Sequence, residues 1–279
     1  MDINNDGKNE VILCMESAST LKSPADYGRI ACFDHKGNLI WKYLFRDTIS
    51  TEHEKLPPLY NSIIVDTFST RNEKYLLAIA YSRPSFSSCI YKLDLLTGQR
   101  VPGTLWQAGF INNAIIYDFN NNGTKEIAFS GVNNSYEKIA FGVVSLGKTY
   151  GQCPSTTDFR FNKNIANLKT YILFPKTDFN SYLKFRNPIN ETGGLSNSPE
   201  ERSLFLTNYE RENPPAVVTY KINYDWRNID IIIGSSLKLE RDTMIVHGIL
   251  KPPLTNTSEY VNLLKEKIQF WNGSDFSNN

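Results

Sequence analysis

Asp2-Ile3-Asn4-Asn5-Asp6-Gly7-Lys8-Asn9-Glu10 and Asp118-Phe119-Asn120-Asn121-Asn122-Gly123-Thr124-Lys125-Glu126 are one nine-residue loop written twice. Each copy carries an oxygen-bearing side chain at its first, third, fifth and ninth positions and glycine at its sixth, and runs directly into an apolar stretch. Oxygen donors on alternate residues suit a hard cation such as calcium, and the glycine permits the turn that converges them. The first copy has three carboxylates, Asp2, Asp6 and Glu10. The second has two, Asp118 and Glu126. Affinity for a cation is therefore expected to fall from the first to the second. The same pattern has a metal-free reading, because Asn/Asp/Gly-rich turns also close hairpins through side-chain to backbone hydrogen bonds.

The surrounding chain is strand-like and repetitive. Ile63-Ile64-Val65-Asp66 and Ile115-Ile116-Tyr117-Asp118 are matching apolar runs that deliver an aspartate into a loop. Apolar runs follow: Val11-Ile12-Leu13-Cys14, Tyr75-Leu76-Leu77-Ala78-Ile79-Ala80 and Ile127-Ala128-Phe129. A further strand then ends at a glycine turn, Ile30 to Gly37 in the first copy, Ile90 to Gly98 in the second, and Phe141 to Gly147, more loosely, in the third. Asp2, Asp66 and Asp118 mark a period of roughly 50 to 65 residues, the size of a four-stranded propeller blade. The middle copy has lost the oxygen pattern, with Phe68, Thr70 and Asn72 after Asp66 and no glycine, so its loop is expected to be structural only.

These loops and their flanking strands resemble FG-GAP or VCBS repeats, the integrin-α-type β-propeller modules. The hairpin Asp34-His35-Lys36-Gly37-Asn38-Leu39-Ile40-Trp41 also resembles the D-x-x-G-x-x-x-W hairpin of quinoprotein-like propellers. The resemblance implies calcium held by Asp2, Asn4, Asp6, the Lys8 carbonyl and Glu10, and more weakly by Asp118, Asn120, Asn122, the Thr124 carbonyl and Glu126. The chain departs from the family pattern in placing Asn at acidic positions of the second loop and Glu rather than Asp at position nine. The expected fold is all-β: a partial β-propeller of about three recognisable blades over residues 1–152, then a C-terminal β-rich module over 153–279 ending in one helix. The first copy lacks the strand that precedes Asp66 and Asp118, which makes the chain read as a fragment of a longer protein, the alternative being a C-terminal strand that fills the gap.

Composition bounds the function. A net charge of +1 over 279 residues and a pI near 7.6 offer no electrostatic footprint for nucleic acid. No apolar run is long enough to span a membrane, and Met1-Asp2-Ile3-Asn4 is not a signal peptide. An extracytoplasmic location, periplasmic or extracellular, is implied only by the family resemblance. Cys14, Cys32, Cys89 and Cys153 lack metal-type spacing. Cys14 and Cys32 read as buried thiols in strands, with a disulfide left open.

In the second half, Thr170 to Pro175, Tyr182 to Phe185, Leu204 to Leu206, Ala216 to Ile222, Ile229 to Ile233 and Met244 to Leu250 read as strands, and Asn187 to Arg202 as a long exposed loop. A helix is expected over 257–271, capped by Thr257 or Ser258, with Val261, Leu264 and Ile268 on one face and Gly273 ending it. Asp225-Trp226-Arg227 and Glu240-Arg241-Asp242 read as salt-bridged turns, and His247 as a core residue. The favoured function is a non-catalytic binding or scaffold module for a protein or glycan ligand. The alternative is a carbohydrate-active hydrolase, which needs two carboxylates facing across a cleft, from candidates such as Asp225, Glu240 and Asp242.

Overall fold

The computed structural model describes residues 1–15, 28–69, 73–82, 85–183 and 191–278. Among them the chain is mostly β, folded as successive antiparallel meanders. The first sheet is β1 (Val11–Met15), β2 (Arg29–Phe33) and β3 (Leu39–Leu44), in that spatial order. The short strands β4 (Ile49–Ser50) and β5 (Lys55–Leu56) form a small hairpin. The second sheet is the meander β6 (Tyr60–Ser69), β7 (Lys74–Ser82), β8 (Ser87–Asp94) and β9 (Arg100–Ala108). The third begins with β10 (Ile111–Tyr117), β11 (Glu126–Asn133) and β12 (Lys138–Ser145). β13 (Gly151–Gln152) then joins β9 in parallel, and β14 (Leu168–Phe174) returns to pair with β12.

A fourth meander follows helix α1 (Asp178–Tyr182): β15 (Glu191–Ser198), β16 (Ser203–Arg211), β17 (Ala216–Asn223) and β18 (Ile229–Ile233). Helices α2 (Ser235–Val246) and α3 (Ser258–Lys265) come next, and β19 (Gln269–Trp271) and β20 (Phe276–Asn278) close the chain as a hairpin added to β14.

The compact units do not divide at residue 152. One comprises Met1–Ile111 with Gly147–Asn167, the other Asn112–Leu146 with Leu168–Asn279. The third repeat finds its fourth strand only at β14, so a boundary between residues 152 and 153 would cut through its sheet.

In the first unit the core lies between the first and second sheets. Ile30, Cys32 and Trp41 of one meet Leu76, Ala78, Ala80, Tyr91 and Trp106 of the other, with Phe45 and Tyr60 beside them. The D-x-x-G hairpin forms because Asp34 Oδ1 accepts the Lys36 and Asn38 amides, each at 2.8 Å, while Gly37 takes φ +85°. Trp41, which follows it, donates its indole N–H to the Leu95 carbonyl at 3.0 Å. Its ring covers Gly98, where an added Cβ would lie 2.5 Å from a ring carbon. Cys32, Cys89 and Cys153 are buried free thiols. Burial pushes Cys32 up to about 11 and Cys89 and Cys153 upward as well. Cys14, expected to be buried, is only partly so.

In the second unit the third and fourth sheets enclose Ala128, Phe141, Ile172, Phe174, Leu204, Leu206, Val218 and Tyr220. Several sequence expectations fail in this half. Residues 191–198 are strand β15, not loop; part of the expected loop, 187–190, lies outside the described residues, as do Lys184 and Phe185. Tyr182 ends a helix. The run Met244 to Leu250 is the end of α2 and its cap, with Gly248 at φ +71° and the Ile249 amide bonded back to the Met244 carbonyl at 2.8 Å. His247 is exposed, not core.

The terminal helix is capped at Thr257 as expected, its hydroxyl accepting the Tyr260 amide. It ends at Lys265 rather than Trp271, since Gln269–Trp271 pair as a strand and Gly273 turns a hairpin. Among the described residues α3 is one of three helices, so the second half does not end in a single helix. Asp225-Trp226-Arg227 is a turn, with Asp225 Oδ1 accepting the Arg227 and Asn228 amides. Glu240-Arg241-Asp242 is instead mid-helix.

Arg241 organises this region. On α2 its turn-mate is Leu237, and both point inward. Its guanidinium makes a bidentate pair with Asp178, both bonds 2.8 Å, and donates to the carbonyls of Pro253 and Lys251 and to Thr255 Oγ1. It lies 3.8 Å over the Tyr260 ring. Burial pushes the Asp178 carboxyl up, but the Arg241 hydrogen bonds and charge outweigh it and hold the group below the ordinary aspartate value. Replacing Arg241 by Met leaves a carboxylate and two carbonyls without their donor, and is expected to cost on the order of 3 kcal/mol in urea unfolding. A depressed Asp178 contributes stability that is present above the ordinary value of 3.8 and is lost as pH falls through the folded value. Asp178→Asn should therefore flatten the acid limb of a stability-against-pH curve; an unchanged limb would contradict this assignment.

Candidate metal-binding loops

Both aspartate loops fold to the same hydrogen-bond pattern. In the first, Asp2 Oδ1 and Asn4 Oδ1 both accept the Asp6 amide, at 3.2 and 2.9 Å. Asp2 Oδ2 accepts the Gly7 amide and Asp6 Oδ1 the Lys8 amide, each at 2.9 Å. In the second, Asp118 Oδ1 and Asn120 Oδ1 accept the Asn122 amide, both at 3.1 Å, Asp118 Oδ2 accepts Gly123 and Asn122 Oδ1 accepts Thr124. Position four is left-handed in both, Asn5 at φ 62° and Asn121 at φ 55°, and so is the glycine, Gly7 at 82° and Gly123 at 80°. Asparagine tolerates that region better than other side chains. The repetition read from sequence is thus a repetition of conformation.

Sharing one amide brings the first- and third-position oxygens together, while the fifth-position oxygen folds back over the same turn. Each oxygen has a lone pair beyond the hydrogen bond it accepts. The donor set of Asp2, Asn4, Asp6 and the Lys8 carbonyl is all hard oxygen and fits a calcium-type ion. Desolvation is the largest single pull on Asp2, upward, but the Gly7, Asn5 and Asp6 amides and the Lys74 ammonium together outweigh it and hold the group below the ordinary aspartate value. The loop is thus charged at neutral pH.

The ninth-position glutamates do something the spacing alone does not reveal. Glu10 and Glu126 are buried, and each turns a carboxylate oxygen onto the amide of position two, Ile3 at 2.8 Å and Phe119 at 3.1 Å. They tie the base of the loop to the strand it enters. In the second loop, Glu126 Oε1 also accepts Asn120 Nδ2 and pairs with the Lys169 ammonium.

Two lysines that sequence reasoning missed complete the picture. Lys74 donates to the Asp2 and Ile3 carbonyls and to Asn5 Oδ1 at 2.9 Å. Lys169 sits on Glu126. Each is the first or second residue of a strand distant in sequence, β7 or β14, so no local pattern announces it. Glu126 is the more heavily committed glutamate, with an ammonium already on it. In the middle copy, Asp66 lies within strand β6; Thr70 and Asn72 lie outside the described residues.

Glu126→Ala strips the Phe119 amide and Lys169 of their acceptor inside a buried site and is expected to destabilise by about 2–3 kcal/mol in chemical denaturation. Lys169→Met, which removes the cation alone, should raise the second loop's calcium affinity relative to wild type if the ammonium competes for the same oxygens; direct titration calorimetry reads the difference. Compared with family models, curated proteins and solved structures, the chain matches none.

Proposed function

We propose that the chain is a non-catalytic binding or scaffold module: blades of a β-propeller belonging to a larger extracytoplasmic or sensor-type assembly, with calcium rigidifying the aspartate loops. The observation that carries the calcium reading is the duplicated loop conformation, in which oxygens from positions one, three and five are gathered on one turn twice in the same chain. The extracytoplasmic placement rests on the resemblance alone.

Propeller character is supported by the four consecutive antiparallel meanders and by how their faces are used. β7, β8, β11 and β12 are buried almost throughout, as strands sandwiched between neighbouring sheets must be. The first sheet differs. The register of β1, β2 and β3 puts Val11, Leu13, Met15, Ala31, Phe33 and Leu39 on one face together with Arg29 and Lys42, away from Ile12, Ile30, Cys32 and Trp41. Val11, Leu13 and Leu39 are 49%, 46% and 51% exposed. Burying such side chains is worth roughly 1.5–3 kcal/mol each, so the exposed apolar residues of this face, set beside Arg29 and Lys42, favour cover by another surface. β1 is also the outer strand of its sheet.

The hydrolase reading has less support. Among the described residues, the carboxyls that the fold perturbs, Asp2, Asp34, Asp178 and Asp225, are all held low, opposite to what a general acid needs. Glu240 is paired with Arg211, and Asp242 accepts the Thr255 amide and hydroxyl.

Calcium at millimolar concentration should raise the thermal midpoint by mass action, and Asp2→Ala combined with Asp6→Ala should abolish most of that shift. An identical melt in calcium and in chelator would remove the metal from the proposal. Leu13→Lys with Leu39→Lys should leave the thermal midpoint unlowered, since both side chains are about half exposed; a clear drop would mean that they are packed in the folded chain.

A further inference from the structure

A pocket of about 390 Å³ opens in the second unit, lined by Phe119, Asn120, Glu201, Arg202, Asn223, Tyr224 and Asp225. Its size lies in the range of small-molecule sites. Five of its lining side chains are planar polar groups, and their hydrogen-bonding capacity is only partly used. Arg202 stacks its guanidinium 5.7 Å from the Tyr224 ring centroid and makes no hydrogen bond or ion pair from that group to any described residue. Asn223 accepts from Ser203 Oγ through Oδ1, leaving its amide N–H pair unspent. Glu201 holds Lys221 through Oε2 at 2.6 Å, leaving Oε1 open. Desolvation is the largest single pull on Asp225, upward, but the amides of Arg227 and Asn228 and the Asn228 side chain together outweigh it and hold the group low.

Backbone geometry singles out the same place. Arg202 and Trp226 adopt φ 48° and 63°, conformations for which glycine or asparagine is the ordinary choice. Trp226 packs against Phe119 at 5.2 Å and Tyr224 at 6.0 Å, directly beside the pocket. Strained residues of this kind persist where the surroundings hold them in place and cluster at functional sites.

We propose that this pocket binds a neutral saccharide. Sugar hydroxyls both donate and accept, which matches a donor fork, an amide and an open carboxylate oxygen placed together. Among the lining charges Arg202 offsets Asp225, and Glu201 is met by the Lys221 ammonium from outside the lining, so neither an anion nor a cation is selected. Asn120 belongs both to the pocket and to the second aspartate loop, where its Oδ1 accepts the Asn122 amide. Saccharide affinity is accordingly expected to depend on calcium. The proposal rests on the binding-module reading of the chain but does not require the metal.

The test is isothermal titration of the full chain with a panel of neutral oligosaccharides (gluco-, xylo-, manno- and N-acetylglucosamine series), in calcium and in chelator. At least one series should bind. Arg202→Gly should weaken it about tenfold or more while leaving the melting midpoint unchanged or higher, because glycine relieves the left-handed strain. Asn223→Ala should weaken it in parallel. Binding of equal strength in calcium and chelator removes only the coupling through Asn120. No binding by any series, binding indifferent to Arg202→Gly, or tighter binding of uronic-acid oligomers or an acidic peptide each overturns the proposal.

Discussion

Strands that are apolar on both faces impose the dominant constraint on this molecule. β7, β8, β11 and β12 keep almost no side chain in water, so the sheets that contain them must be covered twice. Everything else follows from how each sheet meets that demand. The fourth sheet needs only one cover, because β16 and β17 alternate buried and half-exposed residues and their outer positions hold Thr207, Thr219 and Lys221. The first sheet offers an outer face on which Val11, Leu13, Met15 and Leu39 are exposed beside Arg29 and Lys42.

The aspartate loops show how a turn can be made rigid before any ion arrives. Oxygens at positions one, three and five accept amides of the same turn, the ninth-position glutamate ties the loop base to its strand, and a distant lysine adds a positive charge. Preorganisation of this sort lowers the ordering cost of binding a cation. The lysines act in the other direction, neutralising part of the field an ion would feel. The balance differs between the copies: Lys74 bonds mainly to carbonyls of the first loop, whereas Lys169 occupies a carboxylate oxygen of the second.

The two aspartate loops were legible because their information is local. A glycine at position six and Asx residues at positions one, three and five determine a turn whatever lies around it. Strands β6, β7, β8, β10, β11 and β12 were legible for the same reason, being β-branched and aromatic runs between turn residues. What was hidden depends on tertiary partners. Helix α2 buries Leu237 and, one turn on, Arg241, and a charged residue in a core position erases the apolar stripe by which a helix is recognised. The apolar run Met244 to Leu250 then looked like a strand, though Gly248 breaks it. Strand β15 was hidden by the glycines and polar residues that fill it, since its place is secured by pairing with β16 rather than by its own propensity. The strand that completes the third sheet lies beyond a long excursion into the other unit, and no periodicity within residues 111–146 points to it. At the pocket, the sequence offered Asp225 as a turn residue and a candidate hydrolase carboxylate, and Asn120 as a loop ligand; Arg202 and Asn223 became visible once hairpin ends brought them together.

The distribution of sulfur has a practical consequence. All four cysteines fall within Met1–Ile111 and Gly147–Asn167, and three of them are buried thiols whose ionisation is suppressed by the core around them. Since the thiolate is the reactive form, a maleimide or disulfide reagent reaches these three only when that unit opens. The other unit is chemically silent to such reagents. Alkylation rates therefore time the breathing of one half of the chain without interference from its neighbour, and a ligand seated in the Arg202 pocket should leave those rates alone unless the two halves are energetically linked.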